Sequence, residues 1–457
     1  MSMHDTWKGI AYGIDAIISY GVAGKKESYE GIDWVIDHSE TAEVINHSRG
    51  SDTESWPYAD IAKFLDAAVD DRGKCIVQAF GNWGSSRRTR EGLAYNVISV
   101  GAMDDNNTSS TDDDTIYSSS STGPADGVRK PDLVAPGVKI KSTDAQHETT
   151  DDNSDDALLN PKWKSPPTDI DVTGTSFAAP HVAGAVLLLK DSWIWDHKAI
   201  KAILINNAED KGSAGWDTTY GWGYVDLDST YAHRDYVTGT LDNNDTSDYF
   251  QGTMSQGQRA TLVWNRHVVY NGANPPTTVR SLTNLNLYLY DSNSALIDSS
   301  TEDAQKNVEQ VSYDSQGSET VTIEVRLIGS LPTGVSSESY AVAVPAVFQE
   351  SGAPKQVSEG FRGPRSFALS QNYPNPFNAT TVVTFELPEA SRVKLEVYNT
   401  SGQKLRTLVD EKQMKRGRHA VRWEGKNQKG QEVASGVYFY RFTAGDFTTT
   451  RKMVLLR

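Results

Sequence analysis

Apolar residues in the first half of the chain recur by turns at helical spacing and in short unbroken runs. Residues 58–71 place Ile61, Phe64, Leu65 and Ala68 on one helical face, and residues 28–38 do the same with Ile32, Val35 and Ile36. Residues 197–207 predict another helix. Between them lie short apolar runs: Val44-Ile45-Asn46, Cys75-Ile76-Val77-Gln78-Ala79 and Val97-Ile98-Ser99-Val100. Strand and helix alternating in this way predict a parallel sheet with helices on both faces. Reactive side chains then belong at the carboxyl ends of the strands.

From about Val237 the period shortens to two. Residues 261–264, 285–291 and 320–327 alternate as half-buried strands. A stretch rich in Ser, Gly and Pro follows at 349–366. Beyond it, six more strands are predicted at 381–387, 393–398, 404–409, 419–424, 436–443 and 448–456, separated by turn residues such as Ser401-Gly402 and Lys429-Gly430. In the second of these, Val393, Leu395 and Val397 face one way and Lys394 and Glu396 the other. The domain reading is an α/β domain over 1–232, a jelly-roll-like β-sandwich over 236–348, a linker over 349–366 and an immunoglobulin-like β-sandwich over 367–457.

Length and charge agree with this division. A chain of 457 residues allows about three domains at ~150 residues each. A net charge of −16 argues against nucleic acid and anionic membrane surfaces as partners. The longest apolar stretch, residues 178–189, is too short for a bilayer, which needs ~20 residues. The single cysteine, Cys75, excludes an internal disulfide and reads as an inert core thiol in a buried strand. Acidic stretches at 104–114 and 144–167 read as solvated loops; neither has the spacing of a defined calcium loop.

Chemistry concentrates in residues 171–184, DVTGTSFAAPHVAG. Gly174 precedes Thr175-Ser176, and small Ala178, Ala179 and Ala183 follow, so Ser176 is placed at a strand-to-helix turn. There the positive end of a helix favours developing negative charge. Pro180 is expected in the first helical turn, where no intrahelical N–H bond is lost. An N-capping serine on a buried helix is the plainer alternative. The whole run resembles the nucleophile motif of the subtilisin-like serine proteases (subtilases, peptidase family S8). That resemblance implies a subtilisin-like α/β fold and a nucleophilic Ser176.

Three more segments carry the same resemblance. The strand ending in Phe80-Gly81-Asn82-Trp83-Gly84 is similar to the one that presents an oxyanion-binding asparagine, which implies Asn82 paired with the Ser176 amide. Asn46-His47-Ser48-Arg49-Gly50 resembles the strand that pairs with extended substrate. The resemblance implies a substrate pocket walled by Ser48, Arg49 and Gly50 on one side and Ala79, Phe80 and Gly81 on the other. Phe80 and Arg49 depart from the usual small and apolar residues there. Lys130-Pro131-Asp132-Leu133-Val134-Ala135-Pro136-Gly137 resembles the family segment upstream of the nucleophile. No stretch resembles those that carry the family's catalytic histidine and aspartate. His4, His47, His181, Asp15 and Asp33 all lack that context, so both partners are expected upstream of residue 1 and the chain by itself is expected to be inactive. No cofactor is required; calcium, which subtilases use to fix loops, is the one ion the resemblance admits.

Residues 284–291 with 307–311 resemble a small jelly-roll domain that follows some bacterial subtilase domains. Residues 369–378, LSQNYPNPFN, and the basic, apolar ending 451–457 resemble the C-terminal (Por) sorting domain of bacterial type IX secretion. The reading is therefore a serine endopeptidase, secreted or held at the cell surface, with protein or peptide substrates and the type IX machinery as partners. Its alternative is a surface-displayed binding protein on a degenerate protease fold.

Overall fold

The computed structural model describes residues 32–33, 44–53, 58–106, 108, 110–123, 128–143, 169–272, 274–301 and 306–351, and, from 367 to 456, all but 370–371, 373–374, 376, 379, 388–389, 415–416 and 446. The helix predicted at 28–38, His4, Asp15 and the acidic stretch 144–167 fall wholly or mostly outside these residues. Two compact units form, Met1–Gly360 and Phe361–Arg457.

The first unit opens with the parallel strands Val44–His47, Cys75–Ala79, Ile98–Asp104 and Leu133–Pro136, paired in that order. Thr115–Ile116 joins Ile98–Asp104 antiparallel. Strand side chains alternate between two cores, as the pleat requires. Ile76 packs under the helix Asp60–Arg72, with Ile61, Phe64, Leu65 and Ala68. Cys75, Val77 and Ala79 pack under the helices Thr175–Asp191 and His197–Asn206. The first helix ends where Gly73 takes a left-handed conformation and its N–H bonds Val69 O. Asp196 caps the third, its carboxylate accepting from Lys198 N and Ala199 N.

At the opposite end of the sheet from the carboxyl termini, two lysines and an aspartate are buried together. Asp132 accepts from Lys130 Nζ at 2.6 Å and from Ser99 N at 2.7 Å, and Lys201 Nζ lies 3.0 Å from its other oxygen. Both ammonium groups also donate to Val97 O. Burial, with Lys201 alongside, pulls Lys130 down to about 7. The three side chains tie the starts of two strands to the helix His197–Asn206.

Beyond the helix Leu227–Ala232 the unit continues in two antiparallel sheets. One contains Asp235–Leu241, Glu338–Val344, Gln258–Trp264 and Val308–Tyr313; the other contains Leu296–Ser300, Leu285–Tyr290, Ser318–Leu327, Ser247–Ser255 and Gln349–Glu350. Their inner faces share one core that includes Leu262, Trp264, Leu287, Ile323 and Val342. The first sheet turns its other face to the α/β layer. Val263, Val308, Ala341 and Ala343 join Ile200, Ile203 and Leu204 in a single core. His267 bridges the same boundary: Nδ1 meets Asp70 and Nε2 meets Glu338, each at 3.0 Å. These sheets are therefore packed into the α/β layer and do not stand apart from it.

In the second unit, Ala368–Leu369, Thr381–Leu387 and Gly417–Trp423 form one sheet, and Lys404–Met414, Ser391–Asn399, Gly436–Ala444 and Phe447–Leu455 another. Phe385, Val393, Leu395, Val397, Trp423 and Phe442 share their core. Glu396, expected on a solvated face, is buried. Lys404 at 3.0 Å, Arg441 at 3.3 Å and the Tyr398 hydroxyl at 2.7 Å cover its carboxylate. Burial works against the charge, but those bonds hold its pKa down to about 2. The opening motif sits against the last strand: Val454 N donates to Asn375 Oδ1 at 2.8 Å, and Phe377 packs on Trp423 with ring centroids 5.6 Å apart. Among the described residues no helix is long and apolar enough to cross a membrane.

Candidate active site

Ser48, Asn82 and Ser176 come from three separate elements and meet at the carboxyl edge of the parallel sheet. Gly174 makes this possible. Its N–H donates to Gly137 O at 2.7 Å, and its φ of 140° lies in a region that side chains disfavour. That conformation turns the strand Asp169–Val172 into the helix Thr175–Asp191, which starts with Thr175 and Ser176. The Ser176 amide therefore lies in the first turn, where N–H groups have no intrahelical acceptor.

Thr175 locks the neighbouring strand in place. Its N–H donates to Asn82 Oδ1 at 2.9 Å, and its hydroxyl accepts from Gly81 N at 3.1 Å. With its oxygen engaged by Thr175, Asn82, an exposed residue, keeps its amide NH₂ as a donor group. Ser176 Oγ donates to Ser48 O at 2.9 Å, and Ser48 Oγ donates to Ser176 O at 2.8 Å.

The second of these bonds depends on Pro180. The helix begins at Thr175, so Pro180 is its sixth residue and not in the first turn as expected. A residue with an N–H at 180 would bond Ser176 O, four positions back. Proline has none, and the Ser48 hydroxyl takes that carbonyl instead. The proline is tolerated because the freed acceptor is satisfied by the Ser48 hydroxyl.

The residues expected to wall a substrate pocket lie on two adjacent segments. Gln78 Nε2 ties them, donating to Arg49 O and to Ala79 O, both at 2.8 Å. Arg49 is exposed and Ser48 half-buried, whereas Ala79, Phe80 and Gly81 are buried. The Phe80 ring turns inward, toward Gly92.

Neither described histidine near the nucleophile helix contacts Ser176 Oγ through a bond to its ring. His47 Nδ1 pairs with Gln78 Oε1, and His181 Nδ1 with Phe177 O at 2.8 Å, one turn back on its own helix. Burial lowers the pKa of both, favouring the neutral imidazole. Asp33 accepts a hydrogen bond from the Tyr270 hydroxyl, away from the serines.

Two parts of the chain match family models. Residues 2–223 match the Subtilase family, and residues 370–446 match the FlgD Ig-like domain. Serine protease AprX of Bacillus subtilis (strain 168) is 30% identical over 229 residues, 48% of this chain and 50% of that protein. Fervidolysin of Fervidobacterium pennivorans is 31% identical over 214 residues, 46% of this chain and 28% of its own length. Subtilisin Savinase of Lederbergia lenta is 29% identical over 219 residues, 48% of this chain and 66% of that protein. The chain thus spans half or less of the first two of these relatives. Among solved structures, the prenylagaramide maturation protease PagA aligns with 20% identity and a TM-score of 0.37, over 50% of this chain and 77% of its own. The α/β layer is the subtilase fold, with its parallel sheet, and the chain continues in a β-rich region.

Proposed function

We propose that this chain is the nucleophile-bearing part of a subtilisin-like serine endopeptidase, secreted or displayed at a bacterial surface. The supporting observation is the meeting of Ser176, Asn82 and Ser48 at one sheet edge, with Thr175 bonded to both Asn82 and Gly81. In this reading Ser176 Oγ attacks the peptide carbonyl and forms the acyl-enzyme. The oxygen gains negative charge as the carbonyl becomes tetrahedral. The Asn82 amide and the Ser176 N–H donate to it, and the helix N-terminus favours that charge. Extended substrate runs along 48–50, its side chain entering between 48–50 and 79–81.

In this reading neither His47 nor His181 is the base that takes the serine proton: the Nδ1 of each is bonded away from Ser176, to Gln78 and to Phe177. The reading assigns it, with its orienting aspartate, to sequence preceding this chain. The C-terminal unit is read as the type IX sorting module on the strength of its opening and closing motifs. The match to an Ig-like domain fits a β-sandwich of that size and leaves the sorting role to experiment.

Expression together with the preceding coding sequence tests the catalytic reading. Hydrolysis of a casein or peptide substrate that disappears with Ser176→Ala supports it. An intact protein without hydrolysis, whose upstream sequence carries no histidine helix, supports the binding-protein alternative.

A further inference from the structure

The sheet that contains Leu285–Tyr290, Ser318–Leu327 and Ser247–Ser255 as its central strands has a second face, turned away from the core. Leu287, Leu289, Ile323 and Phe250 point into that core. The residues that alternate with them stand on the other side. Register places Tyr249, Glu324 and Tyr288 in one row across the three strands, and Asn286 opposite Arg326 in the next. Tyr290 takes the following outward position, its ring centroid 6.4 Å from that of Tyr288 and the two planes within 22°. Glu324 is 1% exposed. Its carboxylate accepts from Arg326 Nε at 2.7 Å and Nη2 at 2.6 Å, and from the Tyr249 and Tyr290 hydroxyls at 3.1 and 3.0 Å. Burial works against its charge, but Arg326 and the tyrosine hydroxyls hold its pKa below the ordinary carboxylate range.

We infer that this tyrosine face binds a neutral polysaccharide. Its charge is closed. At the outward positions of the three central strands Glu324 and Arg326 are the only charged residues, and they pair with each other. A charged partner therefore finds no uncompensated ion there. The strands lie inside the sheet, so no free edge receives an extended peptide. What remains suits a sugar. Pyranose C–H bonds carry slight positive charge, and an aromatic face carries slight negative charge. Tyr249 is 39% exposed, and its bond to Glu324 fixes its ring before any ligand arrives. Donors and an acceptor are left over beside the rings. Arg326, its side chain 40% exposed, turns Nε and Nη2 to Glu324 and keeps Nη1. The Tyr288 hydroxyl accepts from Asn286 Nδ2 at 3.1 Å, which leaves its own hydrogen for another acceptor. Asn286 is 7% exposed, and its Oδ1 has no hydrogen-bond partner among the described residues. A sugar hydroxyl donates and accepts at once and so meets both needs. The sheet belongs to the same compact unit as Ser176, so a polysaccharide held here keeps the proposed cleft beside it. The inference stands whether or not that cleft is catalytic.

Affinity electrophoresis of the 457-residue chain tests this without requiring turnover. Native gels are cast with glucomannan, galactomannan, laminarin or xylan, and with heparin and gelatin as the polyanionic and polypeptide matrices. At least one neutral polysaccharide is expected to retard the chain, and high salt is expected to change that little. Tyr249→Ala and Tyr290→Ala are each expected to weaken the binding about two- to tenfold. Tyr249→Phe, which keeps the ring, is expected to retain most of it, and this variant carries the test if the alanine variants fail to fold. Passage unretarded through every neutral polysaccharide overturns the inference. So does retardation that neither alanine variant weakens, or a Tyr249→Phe chain that folds and is not retarded. Retardation by heparin or gelatin alone overturns it as well, and assigns the face to a polyanion or a polypeptide.

Discussion

Ser176 and Ser48 are joined by two hydrogen bonds that run in opposite directions, hydroxyl to carbonyl each way, at 2.9 and 2.8 Å. The helix Thr175–Asp191 and the segment following Val44–His47 are thereby fastened at the hydroxyl proposed to react. Pro180 leaves the Ser176 carbonyl available for one of the two bonds.

That dependence gives a measurable coupling. Ser48→Ala removes a bond worth about 1 kcal/mol to stability. In a Pro180→Ala background a new N–H can take the Ser176 carbonyl, so the same change costs less. Urea unfolding of the two single variants and the double variant is expected to show non-additivity of about 0.5–1 kcal/mol. Strict additivity would mean that the two side chains do not share that carbonyl.

In the protein extended upstream, Ser176→Ala is expected to abolish hydrolysis. Asn82→Ala is expected to lower kcat far more than it changes KM, because its donor bond strengthens as charge develops. A pure KM effect would make Asn82 a substrate-binding group only. The 457-residue chain by itself is expected to hydrolyse peptides negligibly, and turnover at the rate of an intact subtilase would reveal a base among its own residues.

Asp132 holds two buried ammonium groups, so removing it strands both. Asp132→Ala is expected to cost about 3–5 kcal/mol in stability. Replacing all three partners together, with Lys130→Met, Lys201→Met and Asp132→Leu, is expected to cost much less. Equal losses in denaturant titrations would show that the charges are themselves stabilising.

His267 has a pH signature. Hydrogen bonds to Asp70 and Glu338 hold its pKa up, at about 10, against an ordinary 6.5. Its contribution is therefore complete below pH 6.5 and fades as the pH rises through 10. Asp70 shifts the other way: burial alone would raise it, but the His267 and Asn265 bonds hold it low. His267→Gln is expected to lower stability by on the order of 2 kcal/mol at pH 6 and by little at pH 10.5. A difference that stays constant across that window would show that the imidazole is held uncharged.

Residues 367–457 are expected to fold when expressed alone. In a host with type IX secretion, their deletion from the extended protein should strand it in the periplasm with hydrolysis intact. Normal appearance in the medium after that deletion would refute the sorting role.

Much of the α/β layer was legible because its periodicities are clean. The helix expected at 58–71 lies at Asp60–Arg72, and the one at 197–207 is His197–Asn206. The strand-to-helix turn at Gly174 was legible from glycine and small residues in order. Position-by-position patterning failed where a tertiary partner decides the outcome. Glu396 reads as solvated until Lys404 and Arg441 are placed over it. Pro180 reads as a first-turn residue until the helix start is fixed at Thr175. Thr89 and Glu91 carry no motif, since what fixes them is contact with Gly50 and Ser51, about forty positions away. The break near residue 232 marks a change from α/β to β, but one face of His197–Asn206 carries Ile200, Ile203 and Leu204. That face was the available sign that the following strands are packed onto it.

The shared core has a consequence for how the chain is made. Ile200, Ile203 and Leu204 are synthesised before Val263, Val308, Ala341 and Ala343, which cover them. Through more than a hundred residues of elongation the finished half of the α/β layer presents a bare apolar face, a target for chaperones and for self-association. Truncation between residues 232 and 344 therefore yields not a smaller folded unit but an adhesive one.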